Sequence, residues 1–200
     1  MGLEYQIAEE LVCYGLKEHG PHYDNPILVK NWKWYKNPTN PNTTTELSAV
    51  QLLESNECPV IFPRRTVILF NKQTMKQLVT DLIDTVIYRC ILVNGLLYDM
   101  MIVDHDKKIV YVFQVTKLKG DEHNCDYSTI KKVMDDMKII ENNYKMYYIH
   151  CSDASRKSES AVKVTNNKNL TKSETDKIDR HMKIFIARVP YYPNKPVHEI

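Results

Sequence analysis

The stretch LLYDMMIVDHDKKIVYVFQVTKLK, residues 96–119, decides the fold because it holds two apolar runs on either side of a polar turn. Residues 96–104 and 109–118 are rich in β-branched and aromatic side chains, which predicts two strands. The four polar residues 105–108 between them predict a tight connection. We therefore expect an antiparallel β-hairpin at this point of the chain.

Three polar side chains interrupt these apolar runs: Asp99 lies in the first, and Gln114 and Thr116 lie in the second. Side chains alternate across a strand, so Gln114 and Thr116 share one face. Residues at equal counts from a hairpin turn face each other, which sets Asp99 roughly opposite residue 114. We expect the acid, the amide and the hydroxyl to converge.

Strands and helices alternate on both sides of the hairpin. A preceding strand at 86–93 is joined to it by Asn94-Gly95, a strong hairpin signal, so three strands form an antiparallel meander. The other predicted elements are helices at 5–19, after Asn71, at 128–142 and at 174–182, strands at 64–70, 144–151 and 184–189, an irregular segment at 20–63, and loops at 119–127 and 152–171. This order predicts an α+β fold, an α/β sandwich with a mixed sheet flanked by helices.

Length and composition fit a folded protein with one main domain. The chain has 200 residues, of which 43% are hydrophobic and 26% are charged. We expect an N-terminal helix and irregular segment, 1–63, to pack on a core domain, 64–200. The net charge is +2, from 27 basic and 25 acidic residues, so no global basic field indicates nucleic-acid binding.

The cysteines and the hydropathy pattern indicate an intracellular protein. The five cysteines are odd in number and include no CxxC pair, which is typical of reduced thiols in a nuclear or cytoplasmic protein. No apolar run approaches the roughly 20 residues of a membrane span, so we expect no membrane partner.

The order of elements and the polar strand residues resemble the PD-(D/E)XK nuclease superfamily, which has a restriction-endonuclease-like core. That core has the order α-β-β-β-α-β, with an acid on the second strand and a (D/E/Q)-x-K motif on the third. The resemblance implies that Asp99 and Gln114 hold Mg²⁺, with Glu9 or Glu10 of the first helix as a further acid. It also implies that the third residue of the motif, at position 116, orients the attacking water.

The segment YVFQVT is also similar to the restriction-endonuclease-like region of Crinkler effectors and of the retrotransposon hot spot proteins of trypanosomes. In those families a Tyr-Asp strand precedes a Gln-Val-Thr strand, and a loop with a histidine leads to a helix. Here these would be Tyr98-Asp99, Gln114 to Thr116, and His123, and the resemblance covers roughly residues 60–190 on the coarse order of elements. Such proteins usually carry an NTPase region. This chain has no GxxxxGK[ST] motif, so the resemblance implies as partner either another protein or the NTPase region of a longer parent protein.

The sequence departs from the nuclease pattern at the catalytic lysine. Thr116 stands where the motif has lysine, and Lys117 lies next to it but on the opposite face by strand alternation. Gln114 is neutral and offers a cation only a carbonyl oxygen. We therefore expect a weakened Mg²⁺ site.

Three functions fit these residues. The first is a nuclease-like domain, with or without its activity, that acts on or binds DNA or RNA through a divalent cation. The second is a catalytically inactive pseudo-nuclease that serves as a protein or nucleic-acid interaction module. The third is a plain α+β partner domain, in which Asp99 pairs with a backbone donor or with Arg89, and Gln114 and Thr116 form an ordinary polar network.

Overall fold

The computed structural model describes residues 98–116, 125–153 and 162–189, together with the backbone of four strands at 33–36, 45–47, 66–70 and 86–90. Several predictions lie outside these residues: the helix at 5–19 that carries Glu9 and Glu10, the helix after Asn71, the Asn94-Gly95 turn, and the positions of Lys117 and His123.

Ten strands and two helices lie within the described residues. Their bounds are β1 Lys33–Lys36, β2 Thr45–Leu47, β3 Thr66–Phe70, β4 Val86–Cys90, β5 Met100–Asp104, β6 Ile109–Val115, β7 Cys125–Asp126, α1 Tyr127–Asp136, β8 Lys145–Asp153, β9 Val164–Thr165, α2 Lys172–His181 and β10 Met182–Val189. Eight strands form one mixed sheet in the order β2-β1-β10-β8-β6-β5-β4-β3, and β7 pairs with β9. The fold is α+β with a mixed sheet, as predicted. Neither α1 nor α2, the helices of the described part of the chain, is long and apolar enough to cross a membrane.

The centre of the sheet combines antiparallel and parallel pairing. Strands β4, β5 and β6 form the predicted antiparallel meander, with Tyr88 opposite Met101 and Met100 opposite Phe113. Strand β8 runs parallel to β6, and β10 runs parallel to β8. Parallel neighbours need a crossover between them, and α1 and α2 lie in the two crossovers.

The turn between β5 and β6 sets the register of this pair. Asp104 lies opposite Ile109, and the Asp104 Oδ1 atom accepts the backbone N–H of Lys107 at 2.8 Å, which closes the turn. From there the pairs run in step to Met100 and Phe113. The next position along each strand is the predicted site.

Helices α1 and α2 pack against one face of the sheet, which we call the helix face. Helix α1 begins behind Asp126, whose carboxylate accepts the N–H of Ser128 at 2.8 Å, and it buries Ile130, Val133 and Met134 at helical spacing. The helix-face core also includes Met101, Val103, Val110, Val112, Met146, Tyr148, Ile178 and Ile186.

The opposite face of the central strands is buried as well. All seven residues of β6 are buried, which explains the continuous apolar run of this strand, since a strand covered on both sides does not alternate in polarity. Aromatic rings line the face opposite the helices. Tyr147 meets Tyr111 edge to face with ring centroids 5.7 Å apart, and it lies 5.4 Å from the ring of Phe185.

Two segments predicted as irregular contain strands. The segment 20–63 includes β1 and β2, and β1 pairs with β10 at the side of the sheet away from β3. The predicted loop 152–171 is wrong in two places, because β8 continues to Asp153 and β9 lies within the predicted loop, where it pairs with β7. These strands are held by pairing to distant segments, which local propensity does not encode.

Helix α1 ends earlier than its apolar pattern predicts. We predicted 128–142, but the helix stops at Asp136 because Lys138 adopts a left-handed conformation with φ 50°. The N–H of Ile139 then bonds back to the carbonyl of Met134 at 2.9 Å, which closes a Schellman motif. No glycine marks this helix end in the sequence.

The packing of α1 on the helix face predicts that two substitutions on α1 lower the free energy of unfolding by different amounts. Ile130 is fully buried, whereas Lys132 is exposed. Ile130→Ala is expected to lower the free energy of unfolding by about 2–5 kcal/mol, because it removes buried methyl groups and leaves a cavity. Lys132→Ala is expected to change it by less than about 0.5 kcal/mol. Urea denaturation followed by circular dichroism measures both, and equal losses would contradict this packing of α1.

Candidate functional site

Asp99 precedes β5 and closes the ladder between β5 and β6. Its backbone N–H donates to the carbonyl of Phe113 at 2.8 Å. The Oδ2 atom of its carboxylate accepts two hydrogen bonds, one from Gln114 Nε2 at 2.8 Å and one from the backbone N–H of Val115 at 2.6 Å. The structure therefore brings Asp99 and Gln114 together, as counting from the turn predicts.

These hydrogen bonds give Asp99 a structural role that does not depend on any role in binding or catalysis. The N–H of Val115 belongs to a buried residue, and a buried N–H without an acceptor would cost about 1–3 kcal/mol. Of the two structural partners expected for Asp99, a backbone donor is therefore confirmed. The other, Arg89, is paired in register with Met100. Asp99 is also partly exposed to solvent, although its neighbours on both strands are buried.

Gln114 turns its amide nitrogen toward the acid. An amide nitrogen is a donor only, and a hard cation would bind the amide oxygen Oε1. The contact with Asp99 fixes the position of the amide, so Oε1 is the atom through which Gln114 would reach a cation. Gln114 is 7% exposed.

Thr116 lies on the same face as Gln114, at the position where the resemblance to the nucleases expects a lysine. It is buried, and its backbone N–H donates to the carbonyl of Cys151 at 3.0 Å. Its hydroxyl brings hydrogen-bonding capacity but no charge. Lys117 and Glu10, the other predicted site residues, lie outside the described residues. Within the described residues, no three His, Cys, Asp or Glu side chains are grouped closely enough to hold a metal ion.

Three residues on β8 and β10 extend this site, and the sequence analysis missed them. His150 on β8 pairs in register with Gln114, and Arg188 on β10 pairs with Ser152 on β8. Register partners share a face of a sheet, so all of these side chains belong to the helix face. We call the following set the polar row: Asp99, Gln114, Thr116, His150, Ser152 and Arg188.

The side chains of the polar row are unusually buried for polar and charged groups. His150 and Ser152 are 0% exposed and Arg188 is 7% exposed. Arginine stays protonated in proteins, so the row contains a permanent cation. The Nε and Nη2 atoms of Arg188 are buried, and Arg188 takes part in interactions within the protein, as a buried charge must.

Opposite charges occupy the two ends of the polar row. Asp99 adjoins β5, and Arg188 lies on β10, with β6 and β8 between them. Three strand spacings of about 4.8 Å place the backbones of these two residues roughly 14 Å apart across the sheet. The positions between the two ends carry an amide, an imidazole and two hydroxyls.

Cys151 lies next to the polar row in the chain, and its surroundings disfavour the reactive thiolate form. It is fully buried, and burial together with the nearby negative charge of Asp99 holds the pKa of its thiol well above the ordinary value. The other described cysteine, Cys125, behaves in the same way: burial, and then the charge of Asp126, raises its pKa to about 12. A thiol must lose its proton to attack a substrate.

A second polar cluster, around Asp126, is structural. The carboxylate of Asp126 accepts hydrogen bonds from Ser128, from the hydroxyl of Thr165 and from the backbone N–H of Asn167, so it ties the start of α1 to β9. The pKa of Asp126 is lowered, chiefly by the hydrogen bond from the Ser128 side chain. These contacts account for the cluster as a helix cap.

Comparison with known proteins adds no family to this description. No family model, no curated protein and no solved structure matches the chain. The roles of Asp99, Gln114 and Thr116 therefore remain predictions.

The raised thiol pKa values predict slow alkylation of Cys125 and Cys151 in the folded protein. With a pKa of about 12, only on the order of one Cys125 thiol in ten thousand is ionised at pH 8. We expect iodoacetamide to modify both residues slowly at pH 8 in buffer, and rapidly in denaturant, where each thiol regains its ordinary pKa. Peptide mass spectrometry at timed intervals measures each site, and equal rates in the two conditions would contradict the burial.

Proposed function

We propose that the chain is a nuclease-like domain that binds DNA or RNA at the polar row, with a divalent cation held by Asp99 and Gln114. The observation that carries this proposal is the contact between Asp99 Oδ2 and Gln114 Nε2 at 2.8 Å, made at a partly exposed acid. A buried structural pair would not need that exposure.

The order of elements supports the proposal. Strands β4, β5 and β6 are antiparallel, α1 follows, and β8 returns parallel to β6. The restriction-endonuclease-like core of the PD-(D/E)XK superfamily has this order after its first helix. Asp99 adjoins the second of these strands and Gln114 is near the end of the third, where the resemblance expects the acid and the motif.

The residues of the polar row suit a weakly held hard cation. Mg²⁺ is usually bound by one or two carboxylates, several waters and the phosphate oxygens of a substrate. Asp99 provides one carboxylate, and its Oδ2 atom is held in place by two donors. When bound, such an ion neutralises charge on the phosphate and polarises a water molecule. The chain itself orients the acid and the amide toward the ligand.

The free thiols of the described residues fit a protein from the compartments that contain DNA and RNA. Cys125 and Cys151 are both free and buried, a state typical of a protein from a reducing compartment. We include a nuclear or cytoplasmic location in the proposal on this ground.

A second candidate is a pseudo-nuclease that binds nucleic acid or protein without cleaving. Thr116 favours it, because a hydroxyl of ordinary acidity cannot replace a lysine that orients or activates water. The two candidates share the binding site and differ only in chemistry, so one experiment can separate them.

Asp99→Asn tests the proposal with little risk to the fold. The asparagine oxygen can still accept from the N–H of Val115, but the charge needed for a hard cation is gone. We expect calorimetric titration with Mg²⁺ or Mn²⁺ to show weak binding to the wild type and at least about a tenfold loss in the variant. Cleavage of labelled single-stranded and duplex DNA and RNA is measured on the same samples.

Asp106→Asn is the matched control, since Asp106 is exposed in the turn at the far end of β5. Cleavage by the wild type that is lost in Asp99→Asn and kept in the control supports the nuclease. Binding of metal or nucleic acid without cleavage supports the pseudo-nuclease. Unchanged cleavage by Asp99→Asn removes Asp99 from the site, and a wild type that binds neither cation nor nucleic acid overturns the proposal.

A further inference from the structure

We infer that three exposed lysines, Lys163, Lys168 and Lys172, bind the phosphate backbone of the nucleic acid. They lie in residues 162–173, VKVTNNKNLTKS, which we call the lysine segment. The inference rests on the proposed function for the identity of the ligand, but it needs no divalent cation. It assigns a function to a segment that the sequence predicted mainly as a loop.

The lysine segment carries positive charge only. It contains three lysines and no aspartate or glutamate, whereas the chain as a whole has 27 basic and 25 acidic residues. All three lysines are exposed, and among the residues that the structure describes none of them forms an ion pair. A local surplus of positive charge on a nearly neutral chain is a basis for binding a polyanion.

The carboxylates next to the lysine segment are held by other donors. Glu174 accepts hydrogen bonds from the backbone N–H and the hydroxyl of Thr171, each at 2.9 Å, and these bonds lower the pKa of its carboxyl group. Asp126 accepts the backbone N–H of Asn167 at 2.9 Å. Each acid caps a helix and forms no ion pair with a lysine of the segment, so the three ammonium groups can bind an anion from solution.

Lys168 lies at the tip of an ordered turn. The side chain of Asn166 donates to the carbonyl of Leu170 at 2.9 Å and accepts the N–H of Leu170 at 2.8 Å. The N–H of Asn169 donates to the carbonyl of Asn166 at 3.2 Å, and Asn169 has φ 51°, a left-handed conformation that asparagine tolerates. Because the turn is already formed, binding does not lose the backbone entropy that a disordered loop would lose.

The lysine segment lies at the same end of the sheet as the polar row. Strands β6, β8 and β10 are parallel neighbours, and Gln114, Ser152 and Arg188 are each the second-last residue of their strand. The segment contains β9, which pairs with β7 just before α1, and it leads into α2. Crossover helices begin at the carboxyl ends of parallel strands, which is where sheets of this kind bind ligands.

The side chains of the lysine segment suit phosphates better than bases. The lysine ammonium is a point charge on a flexible stem, and it contacts phosphates without reading sequence. Asn167 and Asn169 are exposed on either side of Lys168, and amide side chains also contact phosphate and sugar oxygens. The segment contains no aromatic residue that could stack on a base. We therefore expect binding without preference for sequence.

The test measures oligonucleotide binding by fluorescence anisotropy, in EDTA, over a series of salt concentrations. The lysine variant, Lys163→Gln/Lys168→Gln/Lys172→Gln, is expected to bind a mixed-sequence oligonucleotide at least about tenfold more weakly than the wild type. The slope of log affinity against log salt is expected to fall in magnitude by about 2–3, because each lost phosphate contact removes about 0.7–0.9. The matched control changes three exposed lysines at the opposite end of the sheet: Lys108→Gln/Lys138→Gln/Lys145→Gln.

The inference and the proposed function can fail separately. If the wild type binds no oligonucleotide with or without Mg²⁺, both fail. If the wild type binds only with Mg²⁺, or if the lysine variant matches the wild type in affinity and slope, only the inference fails. If Asp99→Asn binds like the wild type in EDTA while the lysine variant binds weakly, the inference holds whatever the cation titration shows. An equal loss in the control variant would show an effect of overall charge and would overturn the inference.

Two further measurements test the kind of ligand and the role of charge. Poly-glutamate is expected to compete at least about tenfold less well than unlabelled oligonucleotide at equal charge, because nucleic acid releases more condensed counterions on binding. Equal competition would indicate an acidic protein partner and overturn the inference. Lys163→Arg/Lys168→Arg/Lys172→Arg keeps the three charges and is expected to keep the salt slope, and a reduced slope would count against phosphate contacts. Thermal unfolding of all variants is expected to match that of the wild type, since the side chains are exposed.

Discussion

Strand β6 has both of its edges paired and both of its faces buried, and the rest of the structure depends on its register. Side chains alternate with a period of two, so a slip by one residue would exchange Gln114 for Phe113 or Val115 on the helix face. The hydrogen bonds from Gln114 and Val115 to Asp99 hold the end of the strand against such a slip. The polar row therefore exists only in the observed register.

The structural role of Asp99 does not explain all of its surroundings. Closing the ladder requires only an acceptor for the N–H of Val115, and an asparagine would serve as well. The structural role does not require partial exposure of the acid, nor a neighbouring amide, nor an arginine on the same face. The hydrogen bond to Val115 therefore does not account for the other polar groups of the row.

The β5–β6 hairpin and the meeting of Asp99 with Gln114 could be predicted because the information is local: two apolar runs, one turn and equal counts from it. His150 and Arg188 could not be placed in the same way, because their strands reach the sheet through crossovers and sequence specifies no register between parallel strands. Each looked like a single polar residue in an apolar strand, the signal that singled out Asp99. The two-residue strands β7 and β9 are too short for any periodicity.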